Sequence, residues 1–375
     1  MSKRARCAMG VVAVVLLGLL VAASPPGQAA RKSVFFLLQV FPDAPVHPLA
    51  WTTAPPLQER VSFPHRQRQI AADIFRPPHG VYPGVVVVLG FNVDLADPTL
   101  NRTLDALARV GLVVMVPYAD VVSGQFDPSE PEVFADAFRY LRAQPFVTDG
   151  RVGFLGFSVG SSLAAIAAAD PGIRQDVAFL HWFGGYYHAP DLLLAIITHE
   201  VLVNGQVVPW TPSAHVVQLV RQAVIGFVDD PGDRQILEGV FLAGQPTTPE
   251  RLAALSPAGR SVYDLLAAST PEDARRALAQ FPEDVQGDLV RLSPSAHVAG
   301  ITATTFVLHD TGDQFVPYWE SRRFWAQLPP ESRGGYTEVE LFEHMTPQRT
   351  EEIGIFVREV VKLYGHLYRL LLLLQ

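Results

Sequence analysis

Apolar residues fall along this chain in two rhythms, and the switching between them predicts most of its elements. Short, mostly apolar runs at residues 85–89, 112–116, 152–155, 177–183 and 304–309 have the length and β-branched content of strands covered on both faces. Between them apolar positions recur at helical spacing. Leu100, Leu104, Leu107 and Ala108 follow an Asp97-Pro98 start, Val133, Ala137, Phe138 and Leu141 come next, and residues 159–169 form a run of small side chains. Strand and helix in alternation predict a parallel sheet with right-handed crossovers. Residues 61–63 and 70–75 read as an antiparallel pair opening that sheet, and 336–342 as its last strand. Ile353, Phe356, Val357, Val360, Val361, Tyr364 and Leu367 mark a C-terminal helix.

The rhythm breaks between residues 187 and 292. No core strand is evident there, while Ser256-Pro257, Thr270-Pro271 and Phe281-Pro282 each open a helical pattern. The stretch is too long for a simple connection. It predicts a helical lid inserted into a core made of residues 58–186 and 293–375. Residues 31–57, proline-rich and carrying Trp51 and Pro55-Pro56, read as an extended strap on that core.

The N-terminus changes the picture of where the protein works. Lys3, Arg4 and Arg6 precede an apolar stretch over residues 8–23, broken by Ser24-Pro25-Pro26 and followed by the small pair Ala29-Ala30. That is the layout of a signal peptide over residues 1–30, shorter than the ~20 apolar residues that span a bilayer. An exported protein is expected, or an anchored one if the segment is not cleaved. The one cysteine, Cys7, lies inside that segment, so the mature chain would hold no disulfide, thiol nucleophile or thiolate metal site. A net charge of −8 and the lack of a basic stripe argue against nucleic acid. No His/Asp/Glu spacing of the metal-binding type stands out, and cofactor-free chemistry is expected.

The candidate chemistry lies at Gly156-Phe157-Ser158-Val159-Gly160, a G-x-S-x-G pattern with a strand before it and a helix after it. Such a turn would hold Ser158 at positive φ, and the glycines would let strand and helix approach closely. The Val159 N–H would then open the helix beside the serine and point at a developing oxyanion. The glycine spacing is not G-x-G-x-x-G, and no Gly-Lys-Ser/Thr ending follows, which excludes a dinucleotide fingerprint and a P-loop. A serine nucleophile needs a base, and the base a carboxylate to orient it. Asp313 and His344 follow later predicted strands in the order such a fold requires, with Asp310 as the alternative acid. His181, within a strand, and His309, just before the acid loop, read as structural residues. Trp182, Tyr186 and Tyr187 read either as the wall of an acyl pocket or as packing under the lid.

Three stretches carry a family resemblance: residues 85–92, residues 153–164, and Leu308-His309-Asp310-Thr311-Gly312-Asp313-Gln314-Phe315-Val316-Pro317. Together they resemble the α/β-hydrolase superfamily, nearest its dienelactone-hydrolase-like branch. The resemblance implies an α/β-hydrolase fold: a mostly parallel central sheet flanked by helices, here with an inserted helical cap. The third stretch resembles the branch's H-G-x-x-D-x-x-V-P pattern, which assigns the acid to Asp313, although Asp310 stands where the branch has glycine. Dienelactone hydrolases proper carry cysteine where this chain has Ser158. The Gly90-Phe91-Asn92 corner lacks the His-Gly pair common in the family, leaving the N–H groups of Phe91 and Asn92 as candidates for the second oxyanion donor. The implied activity is that of a serine esterase, cleaving an ester or related acyl bond of a small or lipid-like substrate through an acyl-enzyme. A peptidase or acyltransferase on the same triad, or a silent ligand-binding module, are the alternatives. The leucine run at 370–374 reads as a core-packed helix end or as a contact with a lipid surface.

Overall fold

The computed structural model describes residues 22–41, 44–125, 127–343, 346–347 and 353–375. Two helices, α1 (Pro25–Val40) and α2 (Pro48–Thr52), precede the sheet. The alternation expected from the sequence follows: β1 (Leu57–His65), β2 (Arg68–Arg76), β3 (Tyr82–Val88), α3 (Pro98–Arg109), β4 (Val113–Pro117), α4 (Glu130–Arg142), β5 (Val147–Phe157), α5 (Val159–Ala168) and β6 (Val177–Phe183). The helical insertion comes next. Its elements are α6 (Ala189–Thr198), the hairpin β7 (Glu200–Val203) and β8 (Gln206–Pro209), α7 (Ala214–Ile225), α8 (Pro231–Phe241), α9 (Pro249–Ala254), α10 (Pro257–Leu266), α11 (Pro271–Leu278) and α12 (Glu283–Arg291). The core resumes with β9 (Thr304–Asp310), α13 (Trp319–Gln327) and β10 (Arg333–Val339), and ends in α14 (Ile353–Leu373).

Eight strands form one sheet in the order β1-β2-β4-β3-β5-β6-β9-β10. β2 pairs antiparallel with both β1 and β4, and every other neighbouring pair is parallel. The central strands are buried on both faces, as their unbroken apolar sequence requires, and Val85 to Val88 have no exposed surface. α3 packs on β2 and β4, α14 on β9 and β10, and α1 lies between α3 and α14.

The strap expected over residues 31–57 is not extended. α1 occupies much of it, and the reason lies in Ser24-Pro25-Pro26, the triplet read as a helix stop. Proline ends a preceding helix but is at home in a first turn, where its missing N–H would have had no partner. Here the Ser24 hydroxyl accepts the Gly27 N–H at 3.3 Å as an N-cap. Ala29, Ser33 and Leu37 then form the buried stripe of the helix. The small pair expected at a cleavage site therefore falls inside a packed helix.

Local chemistry explains the insertion as well. Ser213, Asp230, Thr248, Ser256 and Thr270 each accept an N–H of the helix that follows, and a proline opens four of those helices. Leu237, Val262, Leu265, Ala274 and Phe281 close a hydrophobic cluster separate from that of the sheet. The leucine tail belongs to the main core: Leu370, Leu371 and Leu374 are 6%, 5% and 8% exposed. Among the described residues no helix is long and apolar enough to cross a membrane.

Candidate active site

β5 ends at Phe157 and α5 begins at Val159, so Ser158 alone makes the turn, at φ +54° and ψ −132°. That backbone is strained for serine and is held by close contact on both sides. A Cβ on Gly156 would lie 2.3 Å from Ser161 Cα, and one on Gly160 would lie 2.2 Å from the Val88 carbonyl oxygen. No larger residue fits at either position. The Ser158 N–H donates to the Phe183 carbonyl at 2.8 Å, tying the elbow to β6. Two serines behind it add a staple that sequence reasoning missed. Ser161 Oγ donates to the Phe183 carbonyl at 2.8 Å and accepts the Phe183 N–H at 3.0 Å, and Ser162 does the same with Tyr186 at 2.7 and 2.9 Å.

The corner after β3 meets this elbow. A Cβ on Gly90 would sit 3.2 Å from Ser158 Cβ. Of the two donors expected there, Asn92 does not serve. Its N–H is committed to the Val121 carbonyl at 3.0 Å, because its φ of +54° turns the chain toward that segment. The Val159 N–H, in the first turn of α5, directly follows Ser158.

Both candidate acids are buried at the end of β9. Asp310 Oδ1 accepts the Gly312 N–H at 2.8 Å, and its Oδ2 accepts those of Leu341 and Phe342 at 2.6 and 2.8 Å. Burial pushes its pKa up. Its bonds pin the return segment after β10. Asp313 Oδ1 accepts the N–H groups of Phe315 and Val316 at 2.7 and 3.1 Å, and its Oδ2 lies 3.5 Å from His309 Nε2. His344 lies outside the described residues. Phe342–Glu343, just before it in the chain, pairs with Thr346–Pro347.

The remaining candidates have structural partners. His309 Nε2 lies 3.0 Å from the Val316 carbonyl, which can only accept, so that nitrogen carries the proton and Nδ1 accepts from Ser321 Oγ at 2.6 Å. Ser321 in turn accepts from the Trp182 indole at 2.9 Å. Trp182 is stacked on Phe324 with ring centroids 3.8 Å apart, and the Tyr186 hydroxyl donates to the Leu292 carbonyl at 2.9 Å. These two aromatics are packing. His181 lies deep in the core with its Nε2 3.0 Å from that of His366 on α14.

The insertion leaves the core at a stitched neck beside this edge. The Ser295 N–H donates to the Tyr187 carbonyl at 3.0 Å, and the Ala189 N–H to Ser293 Oγ at 2.8 Å. The buried carboxylate of Glu320 accepts the N–H groups of Tyr187 and His188 at 2.9 and 3.0 Å and pairs with Arg323 at 2.9 Å. Desolvation pushes the Glu320 pKa up despite that partner.

No family model matches the chain. Over 120 residues it is 32% identical to mouse acyl-coenzyme A thioesterase 1, a match that takes in 30% of this chain and 27% of that protein. Mouse mitochondrial acyl-coenzyme A thioesterase 2 matches over 120 residues at the same identity, across 25% of its length. The match thus spans about a quarter of the curated relatives. Among solved structures, a hyperthermophilic esterase from Pyrobaculum calidifontis superposes with a TM-score of 0.47 at 15% identity, covering 92% of each chain. The acylaminoacyl peptidase of Pyrococcus horikoshii gives 0.46 at 12% identity, over 82% of this chain and 41% of that one. With the strand order and the strand-to-helix turn at Ser158 in hand, the architecture has a name. It is the α/β-hydrolase fold. In this fold the loops beyond the parallel strands' C-terminal ends share one edge. Here that edge carries Gly90-Phe91, Ser158 and Asp313 after β3, β5 and β9.

Proposed function

We propose that this protein is a serine hydrolase that cleaves a carboxylic ester or a related acyl bond, thioesters included, through an acyl-enzyme. The observation that carries the reading is the strained, positive-φ turn of Ser158 between β5 and α5, packed too tightly for any residue but glycine at positions 156 and 160. Ser158 Oγ attacks the acyl carbon while His344 takes its proton. Asp313 orients His344 and balances the charge it acquires. The Val159 N–H, opening α5 beside Ser158, receives the oxyanion. Collapse of the tetrahedral intermediate expels the alcohol or thiol with the proton from His344, and water then repeats the sequence on the acyl-serine. The helical insertion serves as the lid, and the match to acyl-coenzyme A thioesterases supports including thioesters among the substrates. The enzyme acts outside the cytoplasm, a reading that rests on the N-terminal charge and hydropathy pattern.

A fluorophosphonate probe and a substrate panel test this. Wild-type protein should be labelled covalently and Ser158→Ala should not, and short acyl esters or thioesters should be turned over ahead of peptides. Absence of labelling in the folded wild-type protein would overturn the reading. A preference for peptides would replace the esterase with a peptidase on the same serine.

A further inference from the structure

The insertion does more than overhang the sheet edge; it holds the acid loop directly. Where β8 ends, the Trp210 indole N–H donates to the main-chain carbonyl of Asp313 at 3.1 Å. The Ser213 N–H donates to the next carbonyl, that of Gln314, at 2.8 Å, and Ser213 also caps α7. The rings of His215 and Phe315 lie 6.1 Å apart just beyond. From the inner side the same turn is held by His309 against Val316. The Asp313 carboxylate accepts the N–H groups of Phe315 and Val316, so its direction depends on the shape of that turn. Carbonyl orientation at 313 and 314 sets that shape.

We propose that Trp210 and the Ser213 N–H are positioning residues for Asp313, so that the acid is aligned only while the insertion is seated on the core. The proposal rests on the serine-hydrolase reading of Ser158. Its consequence is a coupling of lid and catalysis. An insertion lifted at the Tyr187–Ser295 neck to admit substrate gives up both bonds to the acid loop, and reseating restores the base's partner before acylation.

The test uses full-length protein. Trp210→Phe keeps a ring and removes the donor. Ser213→Pro removes the N–H at a residue whose φ of −65° proline adopts, and its effect is read relative to Ser213→Ala, which loses the α7 cap alone. Each should slow fluorophosphonate labelling and lower kcat on a short ester about five- to tenfold, the scale of one lost hydrogen bond. KM should hold, and the acid limb of the rate profile should move to lower pH, because a misaligned carboxylate raises the base's pKa less. In an Asp313→Asn background Trp210→Phe should add little, since both act through one group. Wild-type rates in both variants, or a full additive loss on top of Asp313→Asn, would overturn the inference while leaving Ser158 as the nucleophile. Failure of wild-type protein to label would instead remove the reading on which it rests.

Discussion

At the scale of the residue, Ser158 bears two costs that substitution separates. Ser158→Ala removes the hydroxyl and should lower turnover by about 10⁴–10⁶-fold with the fold retained. Ser158→Gly should be equally inactive yet more stable than Ser158→Ala by about 1 kcal/mol, because glycine takes φ +54° without strain. Equilibrium unfolding of the two variants checks this, and equal stabilities would mean that the turn stores no strain. The two aspartates separate in a similar way. Asp313→Asn should lower kcat by about 10⁴-fold through a misoriented base, with a small change in melting temperature. Asp310→Asn sets an amide against the three N–H groups that Asp310 now accepts, and should cost about 1–3 kcal/mol of stability. Measuring kcat and Tm on both variants decides which aspartate serves the base and which the backbone.

At the scale of the element, α14 is fastened to β6 by two buried histidines. His181 Nε2 faces His366 Nε2, and His366 Nδ1 lies 3.1 Å from Thr337 Oγ1. One ring must donate and the other accept, so the two cannot both be protonated. Desolvation lowers the His181 pKa to about 4, and desolvation, the facing His181 and the nearby Arg369 lower that of His366. In the unfolded chain both titrate near ~6.5. Between those values the unfolded state binds more protons than the folded one, so stability falls as pH drops from about 6.5 toward 4. Urea midpoints across that range should show this slope, and His366→Phe should flatten it. An unchanged slope in the variant would place the acid sensitivity elsewhere.

At the scale of the molecule, α1 and α14 complete the core. Truncation after Tyr364 would remove His366 and the buried Leu370, Leu371 and Leu374, together with the Arg151 contact to the terminal carbonyls. Loss of one buried leucine costs about 2–5 kcal/mol, so losing several exceeds the stability of most domains. Such a truncation should fail to give a cooperative unfolding transition, and a well-folded product would show that the tail is dispensable. The N-terminal helix makes a matching demand. Ala29 is fully buried and α1 packs on both α3 and α14, so if the N-terminal segment is cleaved the product should keep α1 intact, with any cut before Pro25. Intact-mass measurement reads this directly, and a mature terminus at Arg31 would overturn it.

What this sequence determined by itself was local and periodic. The apolar runs specified the strands, the Ser/Thr-Pro starts specified helices of the insertion, and the glycines at 156 and 160 specified the turn at Ser158. Each depends on neighbours within a few residues, and that information is written along the chain. Tertiary structure decided what depends on distant partners. Ser24-Pro25-Pro26 reads equally as an end or a beginning until α3 and α14 offer α1 a face to pack on. The different backbone partners of Asp310 and Asp313, Leu341 and Phe342 for one and Phe315 and Val316 for the other, appear only in the folded chain. Asn92 looks able to donate to an oxyanion until Val121 accepts its N–H. The Trp210 bond to Asp313 joins residues 103 positions apart, a separation across which no spacing rule reaches.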